Sequence, residues 1–301
     1  MKKIRIIGAA IVDVLAAPVE ESVFVTGSAP AGQIRMSCGG DALNEATVLR
    51  CLGAPVELET VLGRDDAGEF VLRHMEKTGL SRESVHIREE IATSVNIVLV
   101  KGDGQRCFVT DPRGSLRRLR LEDITLPFPA GTEILCFASI FVFPEMKTEE
   151  LRTLFAAAKA QGVTVCADMT KCKNGERAAD IAPALQYVDY LFPNDAEAML
   201  VTGAETVEAA AELLHGCGVG TVVIKCGARG CYVRTGQGAF WSGAVEGVQC
   251  LDTTGAGDSF VGGFLYGLAN DWNIEKCAAY ANQCGAKATQ KLGAVTWILP
   301  Q

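Results

Sequence analysis

The chain has 301 residues, of which 49% are hydrophobic, and a formal net charge of -8 at pH 7. This length and apolar content are enough for a large globular core, and the acidic balance offers no basic surface to a nucleic-acid backbone. No segment reaches membrane-spanning length and no signal peptide is visible, so we expect a cytoplasmic protein with no nucleic-acid or membrane partner.

The cysteines argue for free thiols. All twelve are scattered, many in apolar runs such as ILCFASI and VTVCADM, and no CxxC pair occurs. A disulfide framework is typical of short secreted chains. The three histidines lie far from any cysteine pair, which disfavours a structural zinc site because its ligands are closely spaced. We therefore expect buried free cysteines.

Short β-branched runs alternate with helical patterns along most of the chain. This alternation is typical of a parallel sheet covered by helices on both faces, in which ligands bind beyond the carboxyl ends of the strands. The predicted strands are 3–8, 56–63, 133–139, 163–168, 188–193 and 221–227, and the predicted helices are 41–53, 66–79, 147–162, 207–218 and 274–291.

Two segments interrupt this alternation. Residues 11–38 have no helical period, and residues 93–111 alternate like two strands around the turn KGDG. They predict a small β-layer outside the main sheet, with two ordinary loops as the alternative. A thin layer could not bury all of its apolar residues by itself, which predicts a covering partner. Those residues are Val23, Phe24, Val25, Ile97, Val98 and Val100.

The sequence LDTTGAGDSF (251–260) predicts a turn that opens a helix, because apolar residues at helical spacing follow it as far as Asn270. The first amides of a helix have no intrahelical acceptor and favour negative charge, so a glycine turn lets phosphate oxygens approach them. Asp258 is then either a stabilising charge at the helix start or the base that accepts a hydroxyl proton. Walker A and GxGxxG motifs are missing, which disfavours P-loop ATPases and dehydrogenases.

Two motifs carry a family resemblance. DTTGAGDSFVGGF (252–264) and GGDALNEATVLRCLG (39–53) resemble the two signatures of the PfkB carbohydrate kinases, the ribokinase-like enzymes. Further matches occur in order at 63–80, 192–197 and 222–233. The resemblance covers nearly the whole chain.

The resemblance implies a ribokinase-like three-layer α/β/α domain over residues 1–301, with a mostly parallel central sheet and a small β-sheet lid formed by 11–38 and 93–111. It implies ATP-dependent phosphorylation of a hydroxymethyl group of a sugar or sugar acid, with ATP and Mg²⁺ as cofactors. Lids of this kind join two subunits in several family members, so it also implies a homodimer.

The resemblance also implies roles for the glycine turn. Its amides would form an anion hole for the transferred phosphoryl group, and Asp258 would be the catalytic base. Asp252 and Thr254 match a loop that holds K⁺ in some members, and bracing of the turn is the alternative for Asp252. The anion-hole residues are Gly255, Ala256 and Gly257.

For the acceptor, the resemblance implies that Asp13 and Asn44 bind hydroxyls and that two glycines admit the sugar close to the backbone. Asp41 is a further hydroxyl candidate. The alternatives are exposed loop carboxylates for the two aspartates and a tight strand-to-helix turn for the glycines. The implied acceptor-binding set is Asp13, Gly39, Gly40, Asp41 and Asn44.

For the nucleotide, NDAE (194–197) matches the family motif near magnesium and the triphosphate, where Glu197 would contact Mg²⁺ through water. An ordinary helix N-cap is the alternative. Small residues exposed on helix 274–291 would form a slot for adenine, with close helix packing as the alternative. The implied nucleotide-binding set is Asn194, Lys225, Gly227, Gly230 and Asn282.

One departure and two alternative functions stay open. Thr170 replaces the asparagine of the family's DxN motif at 168–170, which leaves the contacts there undefined. A nucleoside kinase would need an apolar surface to hold the nucleobase. A catalytically silent sugar-binding regulator would need no catalytic base. Asp258 and the complete glycine turn disfavour the regulator. The aromatic candidates for a base-binding surface are Phe24, Phe108, Phe141 and Phe143.

Overall fold

The computed structural model describes residues 1–102 and 106–299. None of the helices in these ranges is both long enough and apolar enough to cross a membrane. The strands are β1 (Lys3–Gly8), β2 (Ile11–Ala17), β3 (Gln33–Gly39), β4 (Val56–Gly63), β5 (Val85–Arg88), β6 (Val95–Val100), β7 (Arg106–Thr110), β8 (Thr132–Ile140), β9 (Thr164–Met169), β10 (Tyr190–Phe192), β11 (Thr221–Lys225), β12 (Cys231–Thr235) and β13 (Gly238–Ser242). The helices are α1 (Val23–Thr26), α2 (Asp41–Cys51), α3 (Asp66–Thr78), α4 (Thr148–Ala160), α5 (Ala178–Leu185), α6 (Asp195–Thr202), α7 (Val207–Gly216), α8 (Ala256–Ala269) and α9 (Ile274–Thr289).

The main sheet has nine strands in the order β13-β12-β11-β10-β9-β8-β1-β4-β5. Every pair from β11 across to β5 is parallel, and β12 and β13 form an antiparallel hairpin at the other edge. Parallel neighbours need crossover connections, which helices supply here. The predicted mostly parallel sheet is confirmed.

Helices cover both faces of this sheet, and each face has its own core. On β8, Ile134 and Cys136 pack into the core formed with α2, α3, α8 and α9. The intervening Leu135 and Phe137 pack into the core formed with α4 to α7. Alternate residues of a strand point to opposite faces, so a strand buried on both sides reads as a continuous apolar run. The domain therefore has three layers, α/β/α.

The two irregular segments form a separate four-stranded sheet in the order β3-β2-β6-β7, as predicted. The predicted turn between β6 and β7 includes residues 103–105, which lie outside the described ranges. Val98 is buried, contrary to the expectation that it needs a covering partner. The register pairs Asp13 with Asn96 on one face, while Val14 and Ile97 pair on the other.

The thiol prediction is confirmed only in part. All twelve cysteines are free, but Cys107 and Cys250 are exposed. Cys107 lies on β7, the edge strand of the small sheet, where no helix layer covers it. Cysteines in the main sheet such as Cys136 and Cys166 are buried because helices cover both faces there.

Candidate active site

Two cavities meet at the start of α8. The larger cavity has a volume of about 830 Å³ and lies between the carboxyl ends of β9 to β11 and the helices α8 and α9. The smaller cavity, about 340 Å³, lies between the four-stranded sheet and the start of α2. Asp41 and Asp258 line both cavities. Molecules bound in the two cavities would therefore meet at these carboxylates.

The turn that opens α8 requires glycine at position 255. Gly255 has φ 71°, and a Cβ there would lie 2.5 Å from the carbonyl oxygen of Ala294. The amide of Ala256 donates to the Thr253 carbonyl at 3.2 Å, so this predicted anion-hole amide already has an acceptor. Within the described residues, the amides of Gly255 and Gly257 have none. Two backbone donors at the positive end of a helix are thus available to an anion.

Asp258 is half-buried in the first turn of α8. Its Oδ2 accepts a hydrogen bond from Asn44 Nδ2 at 2.7 Å. Burial, and then the charge of Asp41, raises the pKa of Asp258 to about 8, although the bond from Asn44 acts in the opposite direction. A carboxylate with a pKa in this range can take up a proton near neutral pH, as a general base must.

Lys225 lies beside the helix start and is paired with Asp168. Its Nζ donates to Asp168 Oδ1 and Oδ2 at 2.7 and 2.9 Å. Burial lowers the pKa of Lys225, but the charges of Asp168 and Glu197 outweigh burial and raise it overall, so the ammonium stays charged. A Cβ on Gly257 would lie 3.6 Å from this nitrogen. Lys225 thus adds a positive charge next to the two free amides.

Asn194 and Glu197 form a reciprocal cap at the start of α6. Asn194 Oδ1 accepts from the amide of Glu197, and Glu197 Oε2 accepts from the amide of Asn194, both at 2.8 Å. The N-cap alternative therefore describes their local structure, and both also line the larger cavity. Burial raises the pKa of Glu197 to about 7, although the charge of Lys225 opposes it.

The described residues contain no group of three or more acidic, histidine or cysteine side chains able to hold a metal ion. A site enclosed by protein ligands is therefore missing from this part of the chain. Mg²⁺ commonly keeps several waters and binds through one or two carboxylates together with substrate phosphates. The carboxylate of Glu197, which lines the larger cavity, fits this outer role.

Asp13 faces the smaller cavity from the four-stranded sheet, and its Oδ1 accepts from Asn96 Nδ2 at 3.2 Å. Burial raises the pKa of Asp13. A Cβ on Gly39 would lie 2.0 Å from Asp13 Oδ2, so glycine leaves room for this carboxylate. Gly40 has φ 96° and lines the cavity directly. Asp41 accepts from Ser139 Oγ at 2.6 Å.

Asp252 and Asn282 make structural contacts. Asp252 is buried and lines neither cavity; its Oδ1 accepts from the amide and hydroxyl of Thr254, and its Oδ2 accepts from the amide of Gly293 at 2.9 Å. It therefore braces the turn before α8. Asn282 lines the larger cavity, and its Nδ2 donates to the carbonyls of Ser242 and Gly243, which ties α9 to the end of β13.

The turn after β11 also requires glycine. Gly227 and Gly230 have φ 55° and 89° and line the larger cavity. A Cβ on Gly230 would lie 2.1 Å from the carbonyl oxygen of Ser242. The turn between β11 and β12 can thus approach the end of β13 closely beside this cavity.

The small residues of α9 are mostly buried, contrary to the prediction of an exposed slot. Ala278, Ala281 and Ala288 have 0% exposure because α9 packs closely against α8. Gly285 lies on the same side of the helix, next to Ala256 and Phe260 at the start of α8, and lines the larger cavity. Close helix packing therefore explains the alanines, and only part of this face borders the cavity.

The aromatic candidates are mostly placed elsewhere. Phe143 is buried in the core with α4 to α7, so the prediction that it offers a surface to a base is wrong. Phe141 packs against the same core, and Phe24 is 82% exposed on α1 and lines neither cavity. Phe108 alone of the four lines the smaller cavity.

Sequence reasoning did not single out two polar residues of the smaller cavity, Asn96 and Lys173. It noted Arg117 only as part of the basic run RGSLRRLR (113–120), interpreted as a solvated face or an active-site rim. Asn96 could have been noticed as the one polar residue of the apolar run VNIVLV (95–100). In the structure it pairs with Asp13 on the neighbouring strand. Lys173 carries no comparable signal, because it lies in a loop with basic neighbours on both sides. Arg117 ends a short 3-10 turn, Ser115–Arg117, and nothing in the sequence separates it from the other arginines of the run.

The family model for "pfkB family carbohydrate kinase" matches residues 1–301. The chain belongs to this family. It is 28% identical over 260 residues to an ATP-dependent ribose-1-phosphate kinase of Halopiger xanaduensis, covering 86% of this chain and 83% of that protein.

Solved structures give the same fold for this pfkB kinase. A ribokinase from Thermotoga maritima superposes with a TM-score of 0.82 at 24% identity, covering 100% of this chain and 96% of that one. A fructokinase double mutant from Vibrio cholerae, in its fructose, ADP and potassium ion bound form, has a TM-score of 0.82 at 25% identity, covering 99% and 95%. The expectations of a ribokinase-like fold and of an ATP-dependent carbohydrate kinase are confirmed.

Proposed function

We propose that this pfkB-family kinase transfers the γ-phosphoryl group of ATP to a hydroxymethyl group of a sugar or sugar acid, with Asp258 as catalytic base. The observation that carries the proposal is the position of Asp258 where the two cavities meet, next to the free amides of Gly255 and Gly257. Phosphoryl transfer needs in-line positioning, stabilisation of charge and a base near the attacking hydroxyl. Under this proposal the junction would supply all three.

ATP would occupy the larger cavity. Its terminal phosphates would lie near the start of α8, where Lys225 and the two amides add positive potential. Asn194, Gly227 and Gly230 line the path toward α9, whose residue Asn282 borders the same cavity. Bound Mg²⁺ would neutralise charge on the phosphates, and Glu197 would hold its waters. K⁺ near Asp252 and Thr254 remains a proposal, supported by the fructokinase with a potassium ion bound.

The acceptor would occupy the smaller cavity, between Asp13 and Asp258. The carboxylate of Asp13 would accept hydrogen bonds from sugar hydroxyls, and Asn96 orients it. Asn44 borders the cavity but donates to Asp258, so we assign it to holding the base as well as to binding acceptor hydroxyls. The hydroxymethyl group would then lie beside Asp258, and its proton would pass to Oδ1 or Oδ2 of that carboxylate.

The four-stranded sheet would act as a lid over the acceptor and exclude water, which otherwise competes as a phosphoryl acceptor. Its inner face carries Asp13 and Asn96 toward the smaller cavity. Its outer face is apolar and exposed, and a second copy of the chain would cover it to form the proposed homodimer. The exposed outer residues are Ile34, Met36, Ile97 and Val109. A cytoplasmic location remains a prediction.

The test is ADP release with a panel of sugars, sugar acids and nucleosides, repeated with Asp258→Asn. We expect the protein to release ADP with one class of acceptor. We expect the Asp258→Asn variant to bind ATP and acceptor but to turn over about two to four orders of magnitude more slowly. Near-normal turnover by the variant would remove Asp258 from the mechanism. ADP release with nucleosides alone would favour a nucleoside kinase, in which Phe108 would contact the nucleobase. Acceptor binding without ADP release would favour a silent regulator.

A further inference from the structure

The smaller cavity contains two basic side chains that the proposed transfer chemistry does not use, Arg117 and Lys173. The same cavity is lined by three carboxylates, those of Asp13, Asp41 and Asp258. Over residues 1–102 and 106–299, neither basic side chain forms an ion pair with a carboxylate. Two cationic groups that line a binding cavity without a direct ion pair are available to an anionic ligand.

Arg117 differs from the other arginines of the basic run 113–120. Its Nη1 donates to the carbonyl oxygen of Val142 at 3.0 Å, which restrains the guanidinium. Its other N–H groups have no acceptor among the described residues. The other three arginines pair with carboxylates: Arg113 with Asp111 at 3.9 Å, Arg118 with Glu145 at 3.7 Å and Arg120 with Glu145 at 2.6 Å.

Lys173 lies close enough to Arg117 for their charges to interact. Burial, and then the charge of Arg117, lowers the pKa of Lys173, while the charge of Asp41 opposes this. Two like charges near each other are unfavourable until an anion lies between them. A guanidinium is planar and can bind a carboxylate or phosphate through two parallel hydrogen bonds, and an ammonium adds a compact charge.

We infer that the acceptor of this kinase carries an anionic group, a carboxylate or a phosphate, which Arg117 and Lys173 bind in the smaller cavity. This inference rests on the proposed function and narrows its substrate class from sugars in general to anionic sugars. A neutral sugar would leave both cations without a partner. An anionic group would pair with both cations, and this attraction would offset its repulsion by the three carboxylates of the cavity.

Binding of matched compounds tests the inference separately from catalysis. The first pair is D-fructose and 2-keto-D-gluconate, which share a carbon skeleton; the first has a hydroxymethyl group where the second has a carboxylate. The second pair is D-ribose and D-ribose 1-phosphate, which differ by one phosphate group. Each is titrated calorimetrically into the protein with an unreactive ATP analogue present. We expect one anionic member to bind at least about tenfold more tightly than its neutral partner, as charge-assisted hydrogen bonds allow. The anion preferred distinguishes a carboxylate from a phosphate.

The variants Arg117→Met and Lys173→Met should each reduce this preference at least about threefold, with unchanged melting temperature and unchanged affinity for the neutral partner. Arg118→Met is the matched control, because that side chain pairs with Glu145, and it should keep the preference. Equal binding within both pairs, or a preference that survives in both variants, overturns the inference. Failure of the proposed kinase function is a different result: tight acceptor binding with no ADP release when ATP replaces the analogue.

Discussion

Replacement of Asn44 by leucine gives a quantitative test of how Asp258 is tuned. Asn44 Nδ2 donates to Asp258 Oδ2 at 2.7 Å, and Asn44 is itself buried. This bond stabilises the charged form of Asp258 and so holds its pKa down against burial and the charge of Asp41. Leucine has similar volume but no donor, so the pKa should rise.

The size of the shift follows from the hydrogen bond. A bond to a charged group contributes about 1.5–3 kcal/mol, and one pKa unit corresponds to about 1.36 kcal/mol. Loss of the bond should therefore raise the pKa of Asp258 by about 1–2 units from about 8. The ionised fraction at pH 7 then falls about 10–100-fold, and kcat/KM for the acceptor should fall by the same factor. Above the new pKa, the part of the loss that is due to protonation of Asp258 should disappear.

The assay is the pH profile of kcat/KM for the acceptor at saturating ATP. The measured quantity is the shift of its acidic limb between the unmodified protein and Asn44→Leu. Asn96→Leu is the control, since its bond goes to Asp13 rather than to Asp258. It should raise KM for the acceptor without moving the acidic limb of the profile. An acidic limb that does not shift in Asn44→Leu would refute the role of Asn44 in tuning the base. A loss that persists at high pH would instead report the contact of Asn44 with the acceptor.

Three further predictions concern the nucleotide, the acceptor and the lid. Lys225→Met should destabilise the fold by about 3–5 kcal/mol because it leaves Asp168 buried and unpaired. Adding Asp168→Asn should restore the melting temperature but not ATP affinity, and restored ATP affinity would remove Lys225 from phosphate binding. Asp13→Ala should weaken acceptor binding by about 1–3 kcal/mol in calorimetry, whereas a loss confined to ATP would reverse the assignment. Sedimentation should show a dimer, and acceptor should slow hydrogen exchange in 11–38 and 93–111 more than ATP does. A monomer at micromolar concentration would exclude the dimer, and exchange indifferent to acceptor would exclude the lid.

Local sequence was sufficient for most elements, because strand and helix periods are properties of neighbouring residues. The predicted helix 66–79 is found as Asp66–Thr78, where Asp65 caps the start and Gly79 ends it in the left-handed conformation. The predicted strand 188–193 is only Tyr190–Phe192, since ladder pairing rather than hydrophobicity sets its ends. The pattern did not predict α5, whose Pro183 lies inside a helix of eight residues.

Local sequence also determined the glycine turn at the start of α8, because positive φ at Gly255 and a carboxylate in the first helical turn are local features. Only the tertiary structure decided which partners tune these groups. Asn44 meets Asp258 across 214 residues of chain, and Lys225 meets Asp168 across 57. Arg117 lines the smaller cavity, whereas its neighbours Arg118 and Arg120 pair with Glu145. Contacts of this kind depend on how the layers pack, and hydrophobic periodicity contains no information about which polar side chains that packing brings together.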